Sequence, residues 1–163
     1  MLRNLLFAGA LAALVPASAL AARPGGVSGI GPQVGFSISP DQLVVGGHLV
    51  VGDVAPRLSF VPNLDLGFGD NRTVIAMNFD MHYNFLLRDS DWRPYAGAGL
   101  GISFLEIDRE PPLDDHSETD VGGNVILGAA APTRSGNQFF GEMRFGLGDI
   151  PSLKLLAGWT FGM

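Results

Sequence analysis

Two side chains able to do chemistry stand close together in the stretch TVIAMNFDMHYNFLL (73–87): Asp80 and His82, separated by Met81. On an extended chain an acid and an imidazole at this spacing share one face. There the acid can orient the ring for proton transfer. His116-Ser117-Glu118 holds the residue types of a hydrolytic triad side by side, although a triad needs them to converge in space rather than in sequence. Around it, Glu106, Asp108, Glu110, Asp114, Asp115, Glu118 and Asp120 supply seven of the sixteen acids. Such a loop invites calcium binding or cation bridging. The ligand spacing of an EF-hand is absent, however, and a solvated acidic loop is the simpler reading. GAGLG (97–101) lacks the G-x-G-x-x-G spacing of a dinucleotide loop and any helix after it.

The elements that carry these residues read as strands. In 73–87 every second residue from Thr73 is large and mostly apolar: Ile75, Met77, Phe79, Met81, Tyr83, Phe85. The others include Asn78, Asp80, His82 and Asn84. This is the period of a strand with two unlike faces. Similar segments recur at 31–39, 43–52, 57–69, 72–87, 92–107, 119–131, 137–148 and 153–163, separated by Gly, Pro, Asn, Asp and Ser. Gly and Pro interrupt the chain too often for long helices. Short links make consecutive strands antiparallel hairpins. Eight such strands, longer than the roughly 5–6 residues usual in globular sheets, predict a closed up-and-down barrel.

The N-terminus reads as an export signal. Arg3 precedes an apolar stretch from Leu5 to Val15, and Ala19 and Ala21 form a cleavage site. Pro16 and the small-residue ending argue against a membrane-spanning helix. Cleavage after Ala21, with Ala22 as second choice, leaves 22–163 as one barrel domain after a signal peptide at 1–21. The chain has no cysteine, which excludes disulfides, thiolate metal sites and a lipid-anchored N-terminus. Lys154 is the only lysine and acids outnumber bases sixteen to ten, so no basic surface for nucleic acid exists. No cofactor or metal is implied.

Barrels of this period come in two kinds, apolar inside or apolar outside. The less apolar face decides between them. Its strand charges are few: Asp65, Asp80, Glu142, Arg144 and Lys154, with His48 and His82. Only 16% of the chain is charged, against about 25–35% for a soluble protein's surface. Gly35, Gly46, Gly97, Gly99, Gly101, Gly122 and Gly128 suit a crowded lumen better than a wet exterior. The apolar rows Leu58-Phe60-Leu64-Leu66-Phe68 and Met143-Phe145-Leu147 avoid charge, as a lipid-facing belt must. One Lys or Arg at the bilayer midplane costs roughly 2–4 kcal/mol. An even strand number puts both termini on one side. Tyr83, Phe85, Trp92, Phe139, Trp159 and Phe161 all fall near that side, as a membrane-interface girdle would.

The chain ends in alternation, Trp159, Phe161, Met163. This ending resembles the C-terminal signal by which bacterial outer-membrane barrels are recognised for insertion, with Met in place of the usual Phe. PYAGAGLGISF (94–104) resembles strands of small outer-membrane proteins of the outer membrane protein A and X type. The resemblance implies a bacterial outer-membrane location, lipid and lipopolysaccharide as surroundings, and the barrel-assembly machinery as a partner during insertion. It leaves oligomeric state open. Asp80-Met81-His82 also resembles the Asp-x-His pair of omptin-type outer-membrane proteases. That family has ten strands and a second acidic pair, neither of which is visible here. His116-Ser117-Glu118 can be set beside lipid A deacylases in the same way, with no convergence to support it. Asn71-Arg72-Thr73 fits a glycosylation sequon, which means little in such an envelope.

The expectation is an all-β, eight-stranded antiparallel transmembrane barrel with a filled lumen and a non-enzymatic role in envelope structure or surface interaction. The alternatives are an outer-membrane enzyme acting on lipid A or peptides, and a soluble lipocalin-like binding barrel. Asp65, Asp80, His82, Glu142, Arg144 and Lys154 are expected to form a polar network in the lumen, too crowded to leave them unpaired. Ile75, Met77, Phe79 and Met81 are expected to face lipid. Tyr83, Phe85, Trp92, Trp159 and Phe161 are expected at one interface.

Overall fold

Alternation along each segment builds one closed sheet. The computed structural model describes residues 26–69, 72–107, 116–133 and 135–163. Among them run eight strands: β1 (Val27–Ile38), β2 (Gln42–Ala55), β3 (Leu58–Gly69), β4 (Arg72–Asn84), β5 (Arg93–Ile107), β6 (His116–Pro132), β7 (Gln138–Gly148) and β8 (Leu153–Gly162). Each pairs antiparallel with the next, and β8 returns to β1, with Ile38 opposite Leu153. The anticipated eight-stranded up-and-down barrel is the fold observed. The signal segment 1–21 lies outside the described residues, as do the Asp70-Asn71 turn and residues 108–115.

Burial follows the pleat. β1 alternates buried and exposed along its whole length, and β4 repeats the pattern around Asn78, Asp80 and His82. The inward set mixes polar and charged groups with apolar ones such as Val44, Val74, Ile126 and Leu156. Arg144, Asp65 and Asp80 are among the largest fully enclosed side chains, at 2%, 1% and 0% exposure. The outward set is apolar: Phe36, Leu100, Val121 and Leu147 are exposed, as are Ile75 and Phe79, while Met77 and Met81 sit outward and half-buried between larger neighbours. A small apolar cluster of Tyr95, Ile126, Ala130 and Phe140 lies on the inner side of the sheet, toward the end where β1 begins and β8 ends. All the glycines singled out above lie on the inward phase of their strands.

Several boundaries move. β1 begins at Val27, four residues before the expected 31, because Val27 pairs with Val51 and Gly29 with Gly162. Its Ser and Gly positions hide the alternation. β4 ends at Asn84, so Phe85, Leu86 and Leu87 lie beyond it, all exposed. The acidic loop expected over 106–120 is shorter. β5 runs to Ile107 and β6 starts at His116, with Leu105 opposite Glu118 and Ser103 opposite Asp120. β5 keeps β4 beside it as far as Arg72, whereas the ladder of β6 with β7 starts only at Gly122 opposite Gly148. His116-Ser117-Glu118 is therefore strand, not loop.

Aromatics also distribute differently from the expectation of one crowded end. Tyr83, Trp92, Phe139, Trp159 and Phe161 do lie at the terminal end, with Tyr83 against Phe85 (ring centroids 5.2 Å apart) and Phe139 against Trp159 (6.1 Å). Phe36, Phe68, Phe104 and Phe145 point outward near the far ends of β1, β3, β5 and β7. Among the outward aromatics of the described residues, Tyr83, Trp92 and Trp159 stand at one end, and phenylalanines stand at both.

Candidate functional site

The lumen is built in layers. At the far end the β7–β8 turn folds inward. Gly148 takes a positive φ of 93°, the conformation that glycine adopts at little cost. It lets the chain turn so that Ile150 enters the barrel, 7% exposed. Ile150 seats over Gly101, Gly122 and Gly146; a Cβ on Gly122 would lie 2.8 Å from Ile150 Cγ1. Below it runs an amide ladder: Asn124 Nδ2 donates to Asn78 Oδ1 (3.0 Å), and Asn78 Nδ2 donates to Asn63 Oδ1 (2.8 Å).

The middle layer is ionic and Arg144 is its hub. The guanidinium meets Glu142 at 2.7 Å, Asp80 at 3.1 Å and Asp65 at 3.9 Å, and donates to Asn63 Oδ1 at 2.9 Å. Lys154 Nζ lies 3.1 Å from Asp65 Oδ2, whose other oxygen accepts from Gln33 at 2.6 Å. Asn63 Nδ2 donates to Asp80 Oδ2 at 2.7 Å. Thus Asp65, Asp80, Glu142, Arg144 and Lys154, drawn from β3, β4, β7 and β8, meet in one cluster. Taking a lone charge out of water costs several kcal/mol, and only partners of this quality offset it. Room for them comes from glycine: a Cβ at Gly99 would collide with Asp80 Oδ1.

Toward the terminal end the lumen opens into a cavity of about 80 Å³, bordered by His48, His82, Tyr95, Phe140, Glu142 and Arg144 among others. Tyr95 OH donates to Glu142 Oε2 at 2.9 Å. His82 stacks on Tyr95, centroids 4.8 Å apart and planes 13° from parallel. His48 Nε2 pairs with Thr160 Oγ1 at 2.8 Å. His82 Nε2 and His48 Nδ1 find no hydrogen-bond partner among the described residues. His82 thus shares the lumen with the ionic cluster but holds its place by stacking. The expectation that crowding would pair every lumen group is not met: beside these ring nitrogens, Asp80 Oδ1 and Gln42 Nε2 also lack a hydrogen-bond partner among the described residues.

This arrangement fills and braces the middle of the barrel. Asp80 Oδ2 meets both Arg144 and Asn63, and among the described residues the Asp-x-His pair is not joined by a hydrogen bond. Among the described residues no group of three or more His, Cys, Asp or Glu side chains converges as a metal site. Sequence reasoning missed Gln33, Asn63, Asn124 and Tyr95. Tyr95 was findable: it is in phase with Gly97, Gly99, Gly101 and Ser103, the inward set of β5. The amides carried no such mark, since neutral polar residues at inward positions look alike until their partners are placed.

No protein-family model matches this sequence, and no curated protein matches it either. Solved structures do. The chain is similar to the N-terminal β-barrel domain of Pseudomonas aeruginosa OprF (TM-score 0.67, 12% identity), over 84% of this chain and 98% of that one. It is also similar to Neisserial surface protein A, NspA (TM-score 0.62, 14% identity), over 84% of this chain and 94% of that one. At such identities the likeness lies in strand number, order and closure. The chain has the fold of the small eight-stranded outer-membrane barrels.

Proposed function

We propose that this chain is an integral protein of a bacterial outer membrane, acting without catalysis in envelope structure or surface interaction. One observation carries the reading: burial is inverted. Arg144, Asp65 and Asp80 are enclosed while Phe79, Ile75, Leu100 and Val121 are exposed. In water that pattern exposes the greasy face and buries charge at high cost. In a bilayer it is the favourable one, since closure pairs every strand and the outer face meets hydrocarbon. A lipocalin-like barrel would need the opposite arrangement. In this reading Ile75, Met77, Phe79 and Met81 sit in lipid, and Tyr83, Phe85, Trp92, Trp159 and Phe161 mark the periplasmic interface. Lipopolysaccharide lies around the far end, and the barrel-assembly machinery engages the last strand. The ionic layer serves as a rigid plug, and no observation favours the enzyme alternative.

The test is cell fractionation with electrophoresis of unboiled and boiled samples. A folded outer-membrane barrel partitions with the outer membrane and migrates differently before and after boiling. Protein recovered in the soluble periplasm, with identical migration, overturns the reading.

A further inference from the structure

At the far end of the barrel β6 outruns β7. β5 stays paired with β4 as far as Ile107 opposite Arg72, and with β6 as far as Ile107 opposite His116. On the other side of β6 the ladder starts lower, at Gly122 opposite Gly148, where β7 ends. The chain then turns through Asp149–Ser152 and sends Ile150 into the lumen instead of upward. Among the described residues, 116–121 of β6 therefore have a strand neighbour on one side only. Alternate residues of an antiparallel strand direct their backbone groups to opposite sides, so about half of the N–H and C=O groups here face no strand. Among the described residues, no backbone hydrogen bond of a turn or loop reaches them. Such an edge is a template for an added strand.

Charge selects what can add. Glu118 is exposed and Asp120 half-buried on one face of the segment, and exposed Asp149 stands at its foot. No lysine or arginine occurs in 116–121 or 149–152. A second copy pairing edge to edge would set these acids against one another, and like charges directly opposite are destabilising. We propose that the free edge of β6, residues 116–121, docks an extended segment of a basic partner, with lysine or arginine at alternate positions beside Glu118 and Asp120. Small or β-branched residues fall between them, beside Thr119 and Val121. This deepens the surface-interaction reading and rests on the far end facing out of the cell.

The test uses the full-length barrel in detergent micelles and a fluorescent peptide alternating lysine with threonine and valine. Binding is read by anisotropy. The expected result is saturable binding, weakened about tenfold by the double change Glu118→Lys and Asp120→Lys, in protein that keeps its unboiled gel mobility. Two further peptides, each methylated on the amide nitrogens of one edge, leave the protein untouched. One should lose binding and the other keep it, because only one edge pairs. No binding at millimolar peptide, or equal binding by both methylated peptides, overturns the docking edge. Orientation is read separately with Thr119→Cys and a membrane-impermeant maleimide on intact cells. Labelling supports the outward reading. Absent labelling with binding retained in micelles overturns that reading and leaves the edge standing.

Discussion

The inner and outer faces of this barrel are made to opposite specifications. Outside, Ile75, Phe79, Leu100 and Val125 are exposed, and in the proposed bilayer setting such a surface requires only that a side chain be apolar. Inside, Arg144 contacts three carboxylates and an amide drawn from two other strands and its own. Each inward group is specified by its neighbours. The outer belt therefore tolerates change of shape but not of charge, whereas the lumen tolerates neither.

The largest break of that comparison is Arg144→Met. It leaves Glu142, Asp80 and Asp65 enclosed with only Lys154 as a counter-charge, and should cost about 3–5 kcal/mol, read by urea unfolding from lipid vesicles. Next comes the belt. Phe79→Arg, near the middle of β4, should cost about 2–4 kcal/mol in the same assay, while Phe79→Leu should stay under about 1.5 kcal/mol. Equal costs for these two would mean that the outer face does not meet lipid.

Packing sharpens the contrast. Gly99→Val places a side chain against Asp80 and the Phe79 carbonyl, and overpacking of this kind costs about 1–3 kcal/mol. A methyl group added at Gly141 would meet nothing within 4 Å, so Gly141→Ala should change refolding yield little. A single hydroxyl is tested by Tyr95→Phe. It removes the hydroxyl from Glu142 and leaves the ring stacked on His82, with an expected loss of about 1–2 kcal/mol. A midpoint unchanged by Tyr95→Phe would show that water reaching the cavity replaces the hydroxyl.

The eight strands were legible because the side-chain period of a strand is two, and every segment kept it. Where Ser and Gly blurred the period, as over Val27 to Gly31, the strand start was missed. Where polar and acidic residues carry no apolar alternation, as over His116 to Glu118, strand was read as loop. The charged members of the inner cluster stood out because charges are scarce in these strands. Asn63, Asn78 and Asn124 form a ladder across three strands that no local pattern announces.

By itself the sequence determined strand number, the order of pairing and the chemical character of each face, since all three follow from alternation and short links along one chain. Only the tertiary structure decided which inward groups meet. Arg144 reaches Asn63 across 81 residues and Lys154 reaches Asp65 across 89. Those encounters depend on how far each strand slides past the next, summed around a closed ring. The same sum decided that β7 stops short of β6 and leaves residues 116–121 with one neighbour. Register around a closed barrel is a property of the whole ring, and no single strand carries it.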